Sequence, residues 1–101
     1  MSTSIQTGRL YFDKEVSDYR LDEGNGKRTF RRYVKFEPEF QSANVHVIVQ
    51  LAGADVSKDT NLRVKIFPER ISNKGFEIVV YTWSDTILYG VGVSFLSFID
   101  V

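Results

Sequence analysis

GFEIVVYTWSDTILY, residues 75–89, is the stretch on which the fold turns. From Phe76 to Trp83 most positions are β-branched or aromatic, a composition that suits a pleated, half-buried surface better than a helix. At Ser84-Asp85 the apolar pattern breaks, and a second apolar run begins near Ile87. A short polar turn is therefore expected, with the chain's single tryptophan at a hairpin tip. A Trp, a Tyr and small polar groups gathered at a strand end can stack on something flat and hydrogen-bond its edges.

Downstream of this stretch, Leu88 to Ile99 reads as a last strand. Tyr89, Val91, Val93 and Phe95 fall on one face, and Leu96 and Phe98 on the other, beyond the small residues Gly90, Gly92 and Ser94. Apolar residues on both faces of a strand in a two-layer domain imply that a second subunit covers the outer one. Homo-oligomerisation is the expectation.

Upstream, SNKG at 72–75 has hairpin-turn composition, with Asn73 and Gly75 suited to positive φ. Leu62, Val64 and Ile66 alternate with Arg63 and Lys65, and Pro68 should end that strand or mark an edge position. Residues 52–61, AGADVSKDTN, read as a loop after a strand whose Val45, Val47, Val49 and Leu51 share one face. Arg28 to Phe36 and Ile5 to Phe12 complete six predicted strands, with the polar segment 13–27 between them. Six strands with short connections point to an all-β, six-stranded antiparallel β-sandwich. The whole chain, 1–101, is read as a single domain without internal repeats.

Composition agrees. The aromatic fraction is 14%, with eight Phe and five Tyr against two Pro, and no long helical periodicity is present. A chain of 101 residues can bury roughly two-thirds of its unfolded surface without staples. With no cysteine, neither a disulfide nor a thiolate metal site is available. Thirteen basic residues balance thirteen acidic ones, so no net field draws in nucleic acid or an anionic membrane. No apolar run approaches the ~20 residues of a membrane span, and MSTSIQTGRLYF lacks the pattern of a signal peptide. Cytoplasmic synthesis is expected, with export by a non-classical route left open.

Catalytic material is scarce. His46 is the only histidine and reads as a partly buried sheet residue. The pairs Asp13 with Glu15 and Asp22 with Glu23 lie in polar chain, where solvated charge explains them better than calcium or acid–base work. Glycines 24, 26 and 53 have no strand-loop-helix context, so no phosphate loop is read, and no metal or cofactor is expected. RTFRRY, 28–33, mixes basic and aromatic residues, but in a neutral chain a solvent-facing strand accounts for it. Binding through a shallow preformed site fits better than catalysis.

NLRV at 61–64, IS at 71–72, GF at 75–76, YTW at 81–83, DT at 85–86, Tyr89 and the closing VSFLSFI together resemble the H-type lectin domain. The family includes snail agglutinins that bind N-acetylgalactosamine and the carboxy-terminal domain of discoidins. The likeness is strongest from Asp55 onward, fair at QTGRL and FEPEF, and poor between Asp13 and Lys27. It implies a six-stranded sandwich assembled as a homotrimer, with sugar sites between neighbouring protomers.

The resemblance also implies site residues. Arg63 matches an arginine that hydrogen-bonds sugar hydroxyls, a task suited to the guanidinium fork, against the plainer reading of a strand arginine in a surface ion pair. Trp83 matches an aromatic that covers the apolar patch of a galactose ring, with core packing as the competing role for a lone tryptophan. Tyr89 matches a further aromatic, or else packs in the sheet or an interface. Ser84 stands where snail members carry histidine, which puts the preference among galactose derivatives in question. A neighbour's loop supplies the opposite wall, and in LDEGNGK the matching residue is Asn25 with the Gly24 amide, or Asp22 if the loop is shifted. The implied activity is multivalent, metal-independent binding of galactose- or N-acetylgalactosamine-terminated glycans, with no covalent chemistry and no disulfide between trimers. A structural or adhesion module making only protein contacts is the alternative.

Overall fold

In a computed structural model, which describes residues 4–99, the chain forms six strands in two three-stranded antiparallel sheets. The strands are β1 (Ile5–Asp13), β2 (Arg28–Lys35), β3 (Val45–Val56), β4 (Lys65–Glu69), β5 (Gly75–Thr82) and β6 (Leu88–Ile99). One sheet has the order β1-β6-β3 and the other β2-β5-β4. The sandwich predicted from alternation is therefore the fold.

The two halves of GFEIVVYTWSDTILY are the start of one central strand and the whole of another. β5 is the middle strand of its sheet and β6 the middle strand of the other. A central strand buried on both sides needs apolar residues at nearly every position. That is why Phe76, Ile78, Val79 and Val80 are all buried. The Ser84-Asp85 turn is not a hairpin tip: it carries the chain from one sheet to the other. A hairpin and a crossover need the same turn chemistry, and only the pairing partners distinguish them.

The core lies between the sheets. Phe30, Phe36, Phe76, Ile78 and Val80 from one layer meet Phe12, Leu88, Val91 and Val93 from the other. Rings interlock across it, with Phe12 and Phe30 at 4.8 Å and Phe76 and Phe95 at 5.2 Å between centroids. Such tilted and edge-on pairs add a modest increment beyond the area they bury.

Three local readings change. β3 continues through residues 52–56, predicted as loop, by pairing Gly53, Ala54 and Asp55 with Gly92, Val91 and Gly90 across two register shifts. Bulges absorb the run of small residues, Ala52 to Ala54, that broke the alternation. β4 starts only at Lys65, later than the predicted Leu62, and Pro68 sits within it on a sheet edge, the strand position where proline is tolerated. Before β5, positive φ falls on Arg70 rather than Asn73 or Gly75. Gly75 is needed for a different reason: a Cβ there would collide with the Val34 carbonyl oxygen.

The outer face of the β1-β6-β3 sheet carries Ile5, Ile48 and Leu96 exposed, with Phe98 half-buried among them. His46 is exposed on this face, and its ring stacks on Phe98 at 4.9 Å. The register puts Ile5 and His46 beside Phe98, and Thr7 and Ile48 beside Leu96. The second apolar face of the final strand is thus a contiguous surface patch.

Candidate functional site

The site residues cluster where β5 ends. The β4–β5 ladder ends at the Lys65–Tyr81 pair, with Arg63 two residues before it on one side and Trp83 two residues after it on the other, so both lie at this end of the sheet. Arg63 lies in irregular chain just before β4, held by its own carbonyl, which accepts a hydrogen bond from the buried Thr82 hydroxyl. Its guanidinium is held too. Nη1 donates to Asp85 Oδ1 at 2.7 Å and to Thr86 Oγ1 at 3.0 Å. The Thr86 hydroxyl in turn donates to the Asn61 carbonyl at 2.6 Å. Motifs NLRV and DT are thereby tied side chain to side chain and side chain to backbone.

Trp83 is half-buried and is not a core residue. Its ring lies 5.7 Å from that of Tyr81, which itself meets Phe67 at 6.1 Å, so an aromatic row runs along the outward side of β5 and β4. Ser84 is exposed and has φ of 60°, an uncommon conformation for a residue with a Cβ. Its carbonyl accepts hydrogen bonds from the Gly26 amide at 2.9 Å and from Arg28 Nη2 at 2.8 Å.

Those two bonds show how the 13–27 segment is placed. Far from a freely solvated loop, it is nailed down by Tyr19 and Leu21, 3% and 0% exposed. The Tyr19 hydroxyl donates to the Leu88 carbonyl at 2.7 Å, and the Leu88 amide donates to the Leu21 carbonyl at 3.0 Å. Burial pushes the Tyr19 phenol well above its ordinary ionisation range, with the Asp22 carboxylate adding to the effect. Arg28 completes the clamp by donating to the carbonyls of Glu23, Gly26, Ser84 and Thr86 at 3.0, 2.8, 2.8 and 2.7 Å. Gly24 and Gly26 take positive φ of 78° and 82°, which lets the loop curl over this guanidinium.

Gly24 and Asn25 are exposed at the loop's tip, and Asp22 is half-buried. Within one protomer the loop thus sits against the Ser84 turn, at the same end of the sandwich as Arg63 and Trp83. Tyr89 is elsewhere: it lines a separate recess of about 310 Å³ with Tyr11, Asp13, Lys14, Glu15 and Asp55. Lys14 Nζ lies 5.5 Å from the centre of its ring.

Sequence reasoning passed over Arg28, Asp85 and Thr86 as site-building residues. The DT pair is visible in the motif set, but that it anchors Arg63 needs the fold. Nothing local marks Arg28. The remaining RTFRRY cations are structural: Arg31 bonds Glu69 and Glu77 at 2.7 and 3.0 Å, and Arg32 bonds Asp18 at 3.2 Å. Among the described residues no cluster of His, Cys, Asp or Glu could hold a metal ion, and no helix is long and apolar enough to cross a membrane.

The family model of the H-type lectin domain matches residues 31–98, which include Arg63, Trp83, Ser84 and Tyr89. The chain belongs to the H-type lectin domain family. Discoidin-2 of Dictyostelium discoideum is 30% identical over 95 residues, 93% of this chain and 35% of that protein. The structure of recombinant discoidin II superposes with a TM-score of 0.81 at 27% identity, covering 97% of this chain and 38% of that one. A protein of Fuscovulum blasticum described as ORF 7 of an ATP synthase subunits region is 35% identical over 91% of this chain and 79% of its own length. The chain therefore spans about a third of the discoidins it matches. As an H-type lectin domain it is a carbohydrate-binding protein and not an enzyme. The matched span leaves out Asp22, Gly24 and Asn25.

Proposed function

We propose that this H-type lectin domain binds terminal galactose or N-acetylgalactosamine at sites shared between neighbouring copies of a homotrimer. The observation that supports the reading is the Arg63 guanidinium held by Asp85 and Thr86, in the turn that directly follows Trp83. Arg63 Nη1 is engaged by Asp85 and Thr86, and the guanidinium's other N–H groups are available to sugar oxygens. A planar fork held in place loses less freedom on binding than a mobile side chain. The half-buried indole of Trp83 offers an apolar face for the C–H side of a pyranose. Ser84 supplies a hydroxyl, while Tyr89, which lines a separate recess of its own protomer, joins the site only from a neighbouring copy.

The opposite wall comes from a neighbour's Gly24 and Asn25, whose exposure at a rigidly held tip suits them to that task, or from its Asp22. A carboxylate or amide there accepts from the hydroxyls to which Arg63 donates. The apolar patch of Ile5, Ile48, Leu96 and Phe98 supports assembly, since water-exposed patches of this kind mark contact surfaces. Single shallow sites of this type bind at about millimolar to tens of micromolar, and linking several on one assembly raises avidity for clustered glycans by ~10²–10⁴-fold.

The test is a titration with galactose and N-acetylgalactosamine glycosides against wild type, Arg63→Ala and Trp83→Ala, with sedimentation of all three. Loss of binding with the assembly intact is expected for both variants. Unchanged binding in both variants removes the site assignment. Glycan arrays without any signal, alongside an intact assembly, would instead favour a structural or adhesion module.

A further inference from the structure

The outward face of the β2-β5-β4 sheet is laid out in rows across its three strands. Thr29 and Lys65 flank Tyr81, Arg31 and Phe67 flank Val79, and Tyr33 and Glu69 flank Glu77. Just beyond the paired residues, Lys27, Arg63 and Trp83 leave β2, β4 and β5 at the same end of this face.

Charge divides along this face. In the rows far from Trp83, Arg31 is held by Glu69 and Glu77 at 2.7 and 3.0 Å, and Arg70 lies 4.0 Å from Glu77. Positive and negative groups there satisfy one another. In the two rows nearest Trp83 the balance fails. Asp85 is engaged by Arg63 at 2.7 Å, and among the described residues neither Lys27 nor Lys65 has a carboxylate partner. Both lysines are exposed, and the Lys27 ammonium stands 4.3 Å from the centre of the Tyr81 ring.

We infer that Tyr81, Lys27 and Lys65, with the Thr29 hydroxyl beside them, form an anion-accepting subsite for a sulfate ester or carboxylate on the sugar next to the terminal residue. The inference rests on the Arg63–Trp83 reading for the terminal sugar. Continuity supports it: Tyr81 is the next ring after Trp83 at 5.7 Å, a step comparable to the length of one sugar residue. Chemistry supports it as well. Two ammonium groups act as point charges for an anionic oxygen cluster, and Tyr81 and Thr29 add a ring and a hydroxyl for the sugar that bears it. The Lys27 contact with Tyr81 is a weak exposed one, so the ammonium can turn to a bound anion at little cost.

The experiment uses matched oligosaccharides ending in galactose or N-acetylgalactosamine, whose neighbouring sugar is neutral, sulfated or a uronic acid. Each is titrated at low and at physiological ionic strength against wild type and the double variant Lys27→Gln/Lys65→Gln. At least one anionic ligand should bind wild type about 3- to 20-fold tighter than the neutral one at low ionic strength, with the margin narrowing in salt. Whichever anion shows the margin identifies the group accepted. The double variant should bring the ratio to about one and leave affinity for the neutral ligand unchanged. Equal binding of neutral and anionic ligands by wild type overturns the subsite, as does a preference that survives the double substitution or a double variant that loses the neutral ligand too. Binding of anionic ligands alone, abolished by the double variant, would uphold the subsite and discard the Arg63 reading.

Discussion

Arg28 and Arg63 converge on one residue: Arg28 donates to the Thr86 carbonyl at 2.7 Å and Arg63 to the Thr86 hydroxyl at 3.0 Å. The turn that links the two central strands is thereby the fixed point of the site. Arg28 ties it to the 20–27 loop, and Arg63 is aimed by it.

Thr86 and Asp85 should separate aim from stability. Thr86 is fully buried and its hydroxyl both accepts from Arg63 and donates to the Asn61 carbonyl. Thr86→Val leaves that carbonyl unpaired, a loss of about 1–3 kcal/mol, while also releasing Arg63. A fall in melting temperature together with weaker galactoside binding is expected. Asp85 is 64% exposed in its pair with Arg63, so Asp85→Ala should cost less than about 1 kcal/mol of stability. Its galactoside affinity should still drop. Calorimetric melting and titration on both variants check the contrast, which fails if Asp85→Ala binds as wild type.

Arg28 should matter through order rather than contact. Its guanidinium serves four backbone carbonyls of the loop and the turn. Arg28→Lys keeps the charge but cannot span four acceptors with one compact ammonium. Faster hydrogen exchange at Gly26, whose amide bonds the Ser84 carbonyl at 2.9 Å, is expected, with weaker sugar binding alongside it. Unchanged exchange at Gly26 would show that the loop holds without Arg28.

Much of this was legible in the amino-acid order, and what was not has identifiable causes. The continuous apolar character of 76–80 announces a strand buried on both sides, and the doubled faces of 88–99 announce an apolar outer face, because the preference for burial acts on each residue by itself. Whether Ser84-Asp85 closed a hairpin or crossed between sheets depended on distant pairings with β2 and β3. Asp13 to Lys27 looked like solvated chain because its two anchors, Tyr19 and Leu21, are isolated among polar residues. Two buried side chains in fifteen positions leave no periodic trace, yet they suffice to hold the loop. Arg28 was invisible for a related reason: backbone carbonyls are its partners, and any sequence provides those.

Ser84 should tune preference without governing stability. It is exposed and left-handed at φ 60°, and its backbone carbonyl rather than its side chain holds the loop. Histidine is among the residues enriched in that conformation. Ser84→His should therefore fold as wild type while changing the ratio of N-acetylgalactosamine to galactose affinity, measured by competitive titration. An unaltered ratio would move the specificity determinant to the neighbour's loop.

Leu96 should govern assembly. It lies at the centre of the outer β1-β6-β3 face, between Thr7 and Ile48, at 37% exposure. Leu96→Glu sets a charge into the proposed contact of each protomer, where burying it unpaired costs several kcal/mol. Sedimentation should show monomers with a retained sandwich spectrum. Agglutination should be lost, since both avidity and the borrowed wall of each site go with the proposed trimer. A Leu96→Glu protein that still sediments as wild type would place the assembly surface elsewhere.

Tyr19 makes the fold sensitive to alkali. Its folded ionisation is raised by burial first and by the nearby Asp22 carboxylate second, while in the unfolded chain it ionises near the usual value of about 10. The sign follows from linkage. Below pH ~10 both states hold the proton and the contribution is constant; above it the unfolded chain releases a proton that the folded chain keeps, so stability declines. One such group lowers stability by about 1.4 kcal/mol per pH unit in that window. Tyr19→Phe removes the hydroxyl that bonds the Leu88 carbonyl, which should cost about 1 kcal/mol at neutral pH. Above pH 10 its stability should fall less steeply than that of wild type, and the two curves should approach one another. Denaturant titrations from pH 7 to 11.5 measure both slopes, and parallel curves would show that Tyr19 ionises as freely in the fold as outside it.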